Sequence, residues 1–248
     1  MDWETASSED KQNRMPCVFT PDIPIITMKA ILLIKLTRLF RSTLSCILFF
    51  GLAAGCVAQV TDAQSELDKR VEKFLTEKRQ AWRDLNVPYE DGRVLHDLIV
   101  DNNYRSALEI GTSTGHSTVW IAWALSKTGG RLITIEIDEN RQREAIENLR
   151  ALGLAGFVDF RLGDAHQLVK ELEGPFDFIF SDADKDWYIQ YFKDVDPKLK
   201  TGGTFTAHNV LQSISGIKEY MDFVNGHPGY ETTVDRSSNS GIAISRKK

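Results

Sequence analysis

Residues 106–126 read SALEIGTSTGHSTVWIAWALS. The first five form a short, mostly apolar run closed by Gly111, the pattern of a strand. Residues 116–126, HSTVWIAWALS, read as a helix. Between them Gly111 permits a tight turn, and Gly115 lets backbone approach a ligand where the helix begins. Free N–H groups and the helix dipole at that point favour a carboxylate or another anion. A plain glycine turn accounts for the same residues, so the neighbouring segments have to decide.

Downstream, strand and helix alternate strictly. RLITIEID (131–138) is a strand and NRQREAIENLRALG (140–153) a helix. VDFRLGD (158–164) is a strand, AHQLVKELE (165–173) a short helix and FDFIFSDA (176–183) a strand. WYIQYFKDVDPKL (187–199) is a helix, GGTFTAHNV (202–210) a strand and GIKEYMDFVNG (216–226) a helix. YETTVDRS (230–237) and GIAISRKK (241–248) are two strands with no room for a helix between them, hence antiparallel. This is an α/β class chain: a doubly wound, mostly parallel sheet with helices on both faces and an antiparallel last strand. Upstream, SELDKRVEKFLTEKRQAWRDL (65–85) carries apolar residues at helical spacing, NVPYEDG breaks the pattern, and RVLHDLIVDNN is a short amphipathic helix. Leading helices are therefore expected over 65–100.

Bulk composition agrees with a globular domain: 248 residues, 42% hydrophobic and 26% charged. The net charge of −5 with no basic block argues against nucleic acid as a partner. All three cysteines, Cys17, Cys46 and Cys56, lie in the N-terminal quarter. The folded part thus has no disulfide, no thiolate nucleophile and no cysteine metal site.

Residues 1–58 read as an N-terminal extension followed by a signal peptide or membrane anchor, and 59–248 as the folded domain. From Met28, Lys29, Lys35, Arg38 and Arg41 make a positive segment, and STLSCILFFGLAA is an apolar core of signal-peptide length. Two cleavages fit. CVA, ending at Ala58, suits an ordinary signal peptidase; LAAGC is similar to a lipobox that would leave Cys56 lipidated, although Ala53 stands where leucine is usual. Export to a periplasm or exterior is the expectation, with an uncleaved membrane anchor or a cytoplasmic chain as alternatives. Residues 1–27 look unlike a targeting signal, so Met28 competes with Met1 as the start.

Ligands of such sheets sit outside the carboxyl ends of the strands. The dinucleotide fingerprint is absent, because residue 113 is serine where its second glycine would stand. Glu136 ends the second strand about 20 residues past Gly115 and suits a ribose diol, or else caps the next helix. Asp182, Asp184, Lys185 and Asp186 crowd the corner after the fourth strand. Three acids around a lysine call for a cation or a substrate, and the next strand brings His208-Asn209 beside Asp182. Carboxylate, imidazole and amide oxygen are all acceptable metal donors.

ALEIGTSTGHS, ITIEID, FDFIFSDADKDWY and the GG-x5-HN run resemble, in order and spacing, the cation-dependent class I O-methyltransferases of the catechol and caffeoyl-CoA type. The resemblance runs from about Asn86 to the C-terminus. It implies a Rossmann-like, seven-stranded fold with S-adenosylmethionine (SAM) as methyl donor and a small hydroxylated acceptor as partner; members are often homodimers. It sets Glu109, Gly111, Thr112 and Ser117 around the methionine part of the cofactor, with Val87 from the NV turn. Glu136 would hold the ribose, and Ala165 and His166 would lie by the adenine. Asp182, with His208 and Asn209, would be the metal ligands, and Lys185 the general base.

The departure is His208, where the family has aspartate. Imidazole suits Mn²⁺, Fe²⁺, Co²⁺ or Zn²⁺ better than Mg²⁺. A metal-free enzyme, with His208 as base or as hydrogen-bond partner of the acceptor, is the competing reading. His116 replaces a frequent aromatic and is expected to pack or to line the cofactor site. The implied chemistry is in-line methyl transfer to a catechol-like hydroxyl, with Lys185 taking the proton. Two rival functions stay open at this level: an exported, non-catalytic binding protein of the same fold, and a nicotinamide-dependent oxidoreductase.

Overall fold

β1 (Ser106–Ile110) pairs in parallel with β2 (Arg131–Glu136) on one side and β4 (Phe176–Ser181) on the other. The computed structural model describes residues 62–82 and 84–248. β3 (Val158–Leu162) adds in parallel to β2, and β5 (Leu199–His208) to β4. β7 (Ile242–Lys247) then inserts antiparallel between β5 and β6 (Tyr230–Asp235). The seven-stranded order is β3-β2-β1-β4-β5-β7-β6, which is the expected doubly wound sheet with its last strand reversed.

Alternation along the central strands divides the core into two layers. Ala107, Phe178 and Phe180 face one side, where they meet α2 (Tyr89–Asp101), α3 (His116–Thr128) and α4 (Glu139–Leu152). Leu108, Ile110 and Ile179 face the other, against α6 (Tyr188–Val195) and α7 (Ile217–Asn225). α5 (Ala165–Glu171) contributes Ala165 and Val169 to that second layer. Both faces of β1 and β4 are therefore sealed, which is why these strands read as nearly continuous apolar runs. α4 is capped by Asp138, whose Oδ1 accepts from the Asn140 and Arg141 N–H groups, so Glu136 is not needed as its cap.

The leading region departs from expectation at one point. Residues 62–77 form the first helix, α1, which stops eight residues short of Leu85. The chain then turns, and Trp82 stacks on the buried His116 ring at 4.9 Å. That contact draws residues 84–88 across the carboxyl ends of the strands. β5 begins at Leu199, three residues earlier than expected, because Leu199 pairs with Phe176 across an irregularity in the register. No helix among the described residues is long and apolar enough to cross a membrane. The N-terminal extension, the signal or anchor segment and all three cysteines lie outside the described residues.

α2 crosses α3 closely because Gly92 has no side chain. A Cβ there would sit 2.2 Å from the Trp120 indole, whose ring also meets Tyr89 edge-on at 5.0 Å. Gly92→Ala forces this contact apart and is expected to cost about 1–3 kcal/mol. Thermal denaturation should show a melting midpoint several degrees lower, and an unchanged midpoint would contradict the close packing.

Candidate functional site

The registers set Ile110 beside Ser181 and Ser181 beside Ala207, so β1, β4 and β5 end level with one another. Gly111, Asp182 and His208 consequently meet at one edge of the sheet, with Glu136 at the end of β2. Gly111 adopts φ +103, and a Cβ there would lie 3.1 Å from the Asp182 and Ala183 backbone. Its turn is held by the Gly111 and Thr112 N–H groups, both of which donate to the Ile135 carbonyl. The edge opens into a cavity of about 740 Å³, within the usual range for small-molecule sites.

Most of the residues singled out from sequence line this cavity. Gly111, Thr112, Ser117 and Glu136 line it, and so do Ala165 and His166. So do Asp182, Lys185, His208 and Asn209. Two do not. Val87 is packed in the core, 3% exposed, and its carbonyl accepts from His116 Nδ1 at 2.7 Å. Its neighbours Asn86 and Pro88 line the cavity instead. Glu109 points into the α3 layer, fully buried. Its Oε2 accepts from Thr118 and Thr134 at 2.6 Å each, while the buried Oε1 has no partner among the described residues. Burial pushes the Glu109 pKa up to about 7, against the opposing bonds from Ser117, Thr118 and Thr134.

His116 is settled as a packing residue. It donates through Nδ1 to Val87 and accepts the Trp120 indole N–H on Nε2 at 3.2 Å, and burial depresses its pKa to about 4. Glu136 is oriented by three backbone donors: Ser113 N–H at 2.7 Å, and Ile137 and Asp138 N–H at 3.0 Å. A carboxylate has about four acceptor positions, so room remains for a ligand hydroxyl. His166 stacks on Trp187 at 3.8 Å beside the cavity.

The corner after β4 sorts its acids. Asp184 and Asp186 are exposed, and Asp184 caps the short 3₁₀ turn Lys185–Trp187. Asp182 faces the cavity; its Oδ1 accepts from Lys185 Nζ at 2.7 Å and lies 3.3 Å from His208 Nδ1. Burial opposes ionisation of Asp182, but His208 and Lys185 outweigh it and hold the carboxyl below its ordinary range. On the far side of the imidazole, Nε2 donates to Asp91 Oδ2 at 2.7 Å. Burial works against the imidazolium, yet Asp182 and Asp91 outweigh it and push the His208 pKa up to about 9.

Asp91 and the cavity rim were not found from sequence. Asp91 carried a legible signal, since it heads the Asp91-Leu95-Ile99 stripe on the buried side of α2. Arg141 had none: it pairs with Asp84 through Nε at 2.9 Å and a terminal nitrogen at 3.0 Å, tying the 84–88 loop to α4 at the cavity mouth.

The residues at the corner can be tested against a divalent ion. Two donor atoms bound at about 2.1 Å to one ion lie roughly 3 Å apart. Asp182 Oδ1 and His208 Nδ1 have nearly that spacing, and Asn209, at φ +62, lines the same cavity. The carboxylate and the imidazole suit an ion that displaces the Nδ1 proton, and Asn209 would be the third donor. No group of three or more His, Cys, Asp and Glu side chains among the described residues is arranged to hold a metal.

Residues 59–220 match the O-methyltransferase family. The chain is 39% identical over 132 residues to the catechol O-methyltransferase of Niastella koreensis, covering 52% of this chain and 59% of that protein. It is 31% identical over 162 residues to caffeoyl-CoA O-methyltransferase 1 of Eucalyptus globulus, covering 59% and 65%. The matches thus span about three-fifths of the length of these relatives. Among solved structures, the O-methyltransferase from Bacillus cereus in complex with SAH superposes with a TM-score of 0.62 at 27% identity, covering 73% of this chain and 91% of that one. The tomaymycin-synthesis O-methyltransferase of Streptomyces achromogenes, in complex with SAM, gives 0.59 at 26%, covering 75% and 89%. With a matching fold and a family match over residues 59–220, this chain belongs to the O-methyltransferase family.

Proposed function

We propose that this chain is a SAM-dependent O-methyltransferase acting on a small, catechol-like hydroxylated acceptor, assisted by a divalent cation at Asp182, His208 and Asn209. One observation carries the reading: a single cavity joins the glycine turn, Ser117 and Glu136 to Asp182, Lys185, His208 and Asn209. The Glu109 oxygen left without a partner among the described residues suits a cationic group of a bound cofactor. Solved relatives carry SAM or SAH, and catechol and caffeoyl-CoA are the acceptors named for similar proteins.

When bound, the cofactor supplies a sulfonium methyl group and the cation lowers the pKa of an acceptor hydroxyl. The chain does the rest. Glu136, fixed by its three backbone donors, would accept from a ribose hydroxyl. Glu109, buried next to the glycine turn, would supply the counter-charge for the cofactor's α-ammonium through its Oε1. Leu85 and Ile137, 71% and 69% exposed at the cavity, offer apolar cover for a flat ring. Lys185 takes the proton of the acceptor hydroxyl, and Asp182 stabilises the ammonium that results. The binding-protein and nicotinamide readings have no support in the comparisons.

Full-length protein with SAM and a panel of catechols is expected to give methylated products. Chelation should stop turnover and Mn²⁺ should restore it better than Mg²⁺. Lys185→Ala should lower kcat by about 10²- to 10⁴-fold with SAM affinity unchanged. SAM binding without transfer to any catechol would reject the acceptor class, and no SAM binding would reject the function.

Glu109 sets a pH dependence. Its pKa is raised to about 7 in the free protein, and a cofactor ammonium favours its ionised form, so binding releases a proton. SAM affinity, read by calorimetry, should rise between about pH 6 and pH 7.5. Glu109→Gln should flatten that slope and weaken binding about ten- to hundredfold. A slope that survives the substitution would remove Glu109 from this role.

Export through residues 28–58 is proposed on the sequence alone. Mass spectrometry of protein from expressing cells should find a new N-terminus at Gln59 or a lipidated Cys56. A chain that keeps residues 28–58 would contradict cleavage.

A further inference from the structure

Asp91 is a costly residue in its place. It is 0% exposed, it lies on the stripe that Leu95 and Ile99 bury, and its Oδ1 has no partner among the described residues. A buried carboxylate is expensive unless it is paired and hydrogen-bonded. Its pairing partners come from two other elements far along the chain. Oδ2 accepts from His208 Nε2 at 2.7 Å at the end of β5, and from Ser238 Oγ at 2.8 Å in the loop between β6 and β7. Ser238 is itself held, because its hydroxyl oxygen accepts from the Ser240 N–H at 3.0 Å.

The two sides of the His208 ring differ. The Nε2 contact has the length of a charge-assisted hydrogen bond. The Nδ1 contact to Asp182, at 3.3 Å, is longer than an ordinary N–H···O bond. The ring is thus anchored from the Asp91 side, and Nδ1 is the nitrogen turned to the cavity corner. The backbone is fixed as well, since Tyr188 donates its hydroxyl to the His208 carbonyl at 3.3 Å. A carboxylate behind an imidazole orients the ring and fixes which nitrogen faces the chemistry.

We infer that Asp91 is a positioning residue: by holding the Nε2–H of His208 it dedicates Nδ1 to the corner formed with Asp182 and Lys185. Ser238 secures the carboxylate in that task. This assignment goes beyond the methyltransferase reading and rests on it for its effect on turnover, but the ring orientation stands apart from any activity. The ring is held in that corner because α2 supplies a fixed acceptor behind it.

The test uses the full chain labelled with ¹⁵N-histidine, with His208 signals identified by their loss in His208→Asn. In the unsubstituted protein His208 should show a protonated, hydrogen-bonded Nε2. Asp91→Leu should abolish that signature, and Asp91→Asn, which keeps an acceptor, should preserve it in part. In parallel, Asp91→Leu should lower kcat about ten- to hundredfold with KM for SAM within about twofold, and Asp91→Asn should fall between. In a His208→Ala background, Asp91→Leu should have no further effect on kcat. A folded Asp91→Leu protein with unchanged His208 signals and unchanged kcat would overturn the assignment. So would a loss of the same size in the His208→Ala background. Should Asp91→Leu fail to fold, Asp91→Asn and Ser238→Ala carry the same measurements, and two unaltered spectra would again overturn it. If the unsubstituted protein methylates nothing, the proposed function fails while the ring spectra still decide the role of Asp91.

Discussion

The parallel pairing of β4 with β5, Ser181 opposite Ala207, is the constraint on which the site depends. It delivers Asp182 and His208 from positions 26 residues apart to the same sheet edge. β1 pairs on the other side of β4 and ends level with it, so that the Gly111 turn packs against the Asp182 backbone. Every other feature of the cavity is hung on that edge. The 84–88 loop crosses above it, tied by Asp84 and Arg141, and the β6–β7 loop closes in from the side with Ser238 and Ser240.

Charge at this edge is arranged in alternation. Asp91, His208, Asp182 and Lys185 follow one another, each within hydrogen-bonding or near-contact range of the next. Each carboxylate has a cation beside it, which is how such groups endure burial. Glu109, only one strand away, has hydroxyl partners and no cation, and its pKa climbs to about 7. Two buried carboxylates on neighbouring strands are thereby set to opposite sides of their ordinary range by what stands next to them. A ligand that brings a positive charge to Glu109 would complete the missing pair.

Much of this was legible in the chain. The alternation of apolar runs and amphipathic segments identified the sheet and its reversed end, because β-strands sealed on both faces must be apolar and helices must bury a stripe. Gly111, Glu136, Asp182 and His208 were legible because ligands of such sheets meet the strand ends. Val87 lies differently from expectation: the NV turn reaches the cavity through Asn86 and Pro88, while Val87 packs inward and its carbonyl accepts from His116. The end of α1 was misjudged because helical spacing continues past residue 77, and a stacking contact between Trp82 and His116 overrides it.

What the sequence determined by itself was the kind of element each segment forms and the order in which those elements follow, since periodicity and turn chemistry are local properties. It also determined which chemical groups stand at the strand ends. What only the tertiary structure decided was their company. The closing of α2 onto the end of β5 puts Asp91 behind His208 across 117 positions of chain, and the burial of Glu109 comes from the packing of α3 on β1. Proton affinity and ring orientation depend on neighbours in space and on exclusion of water, and neither is written in the spacing of residues along a chain.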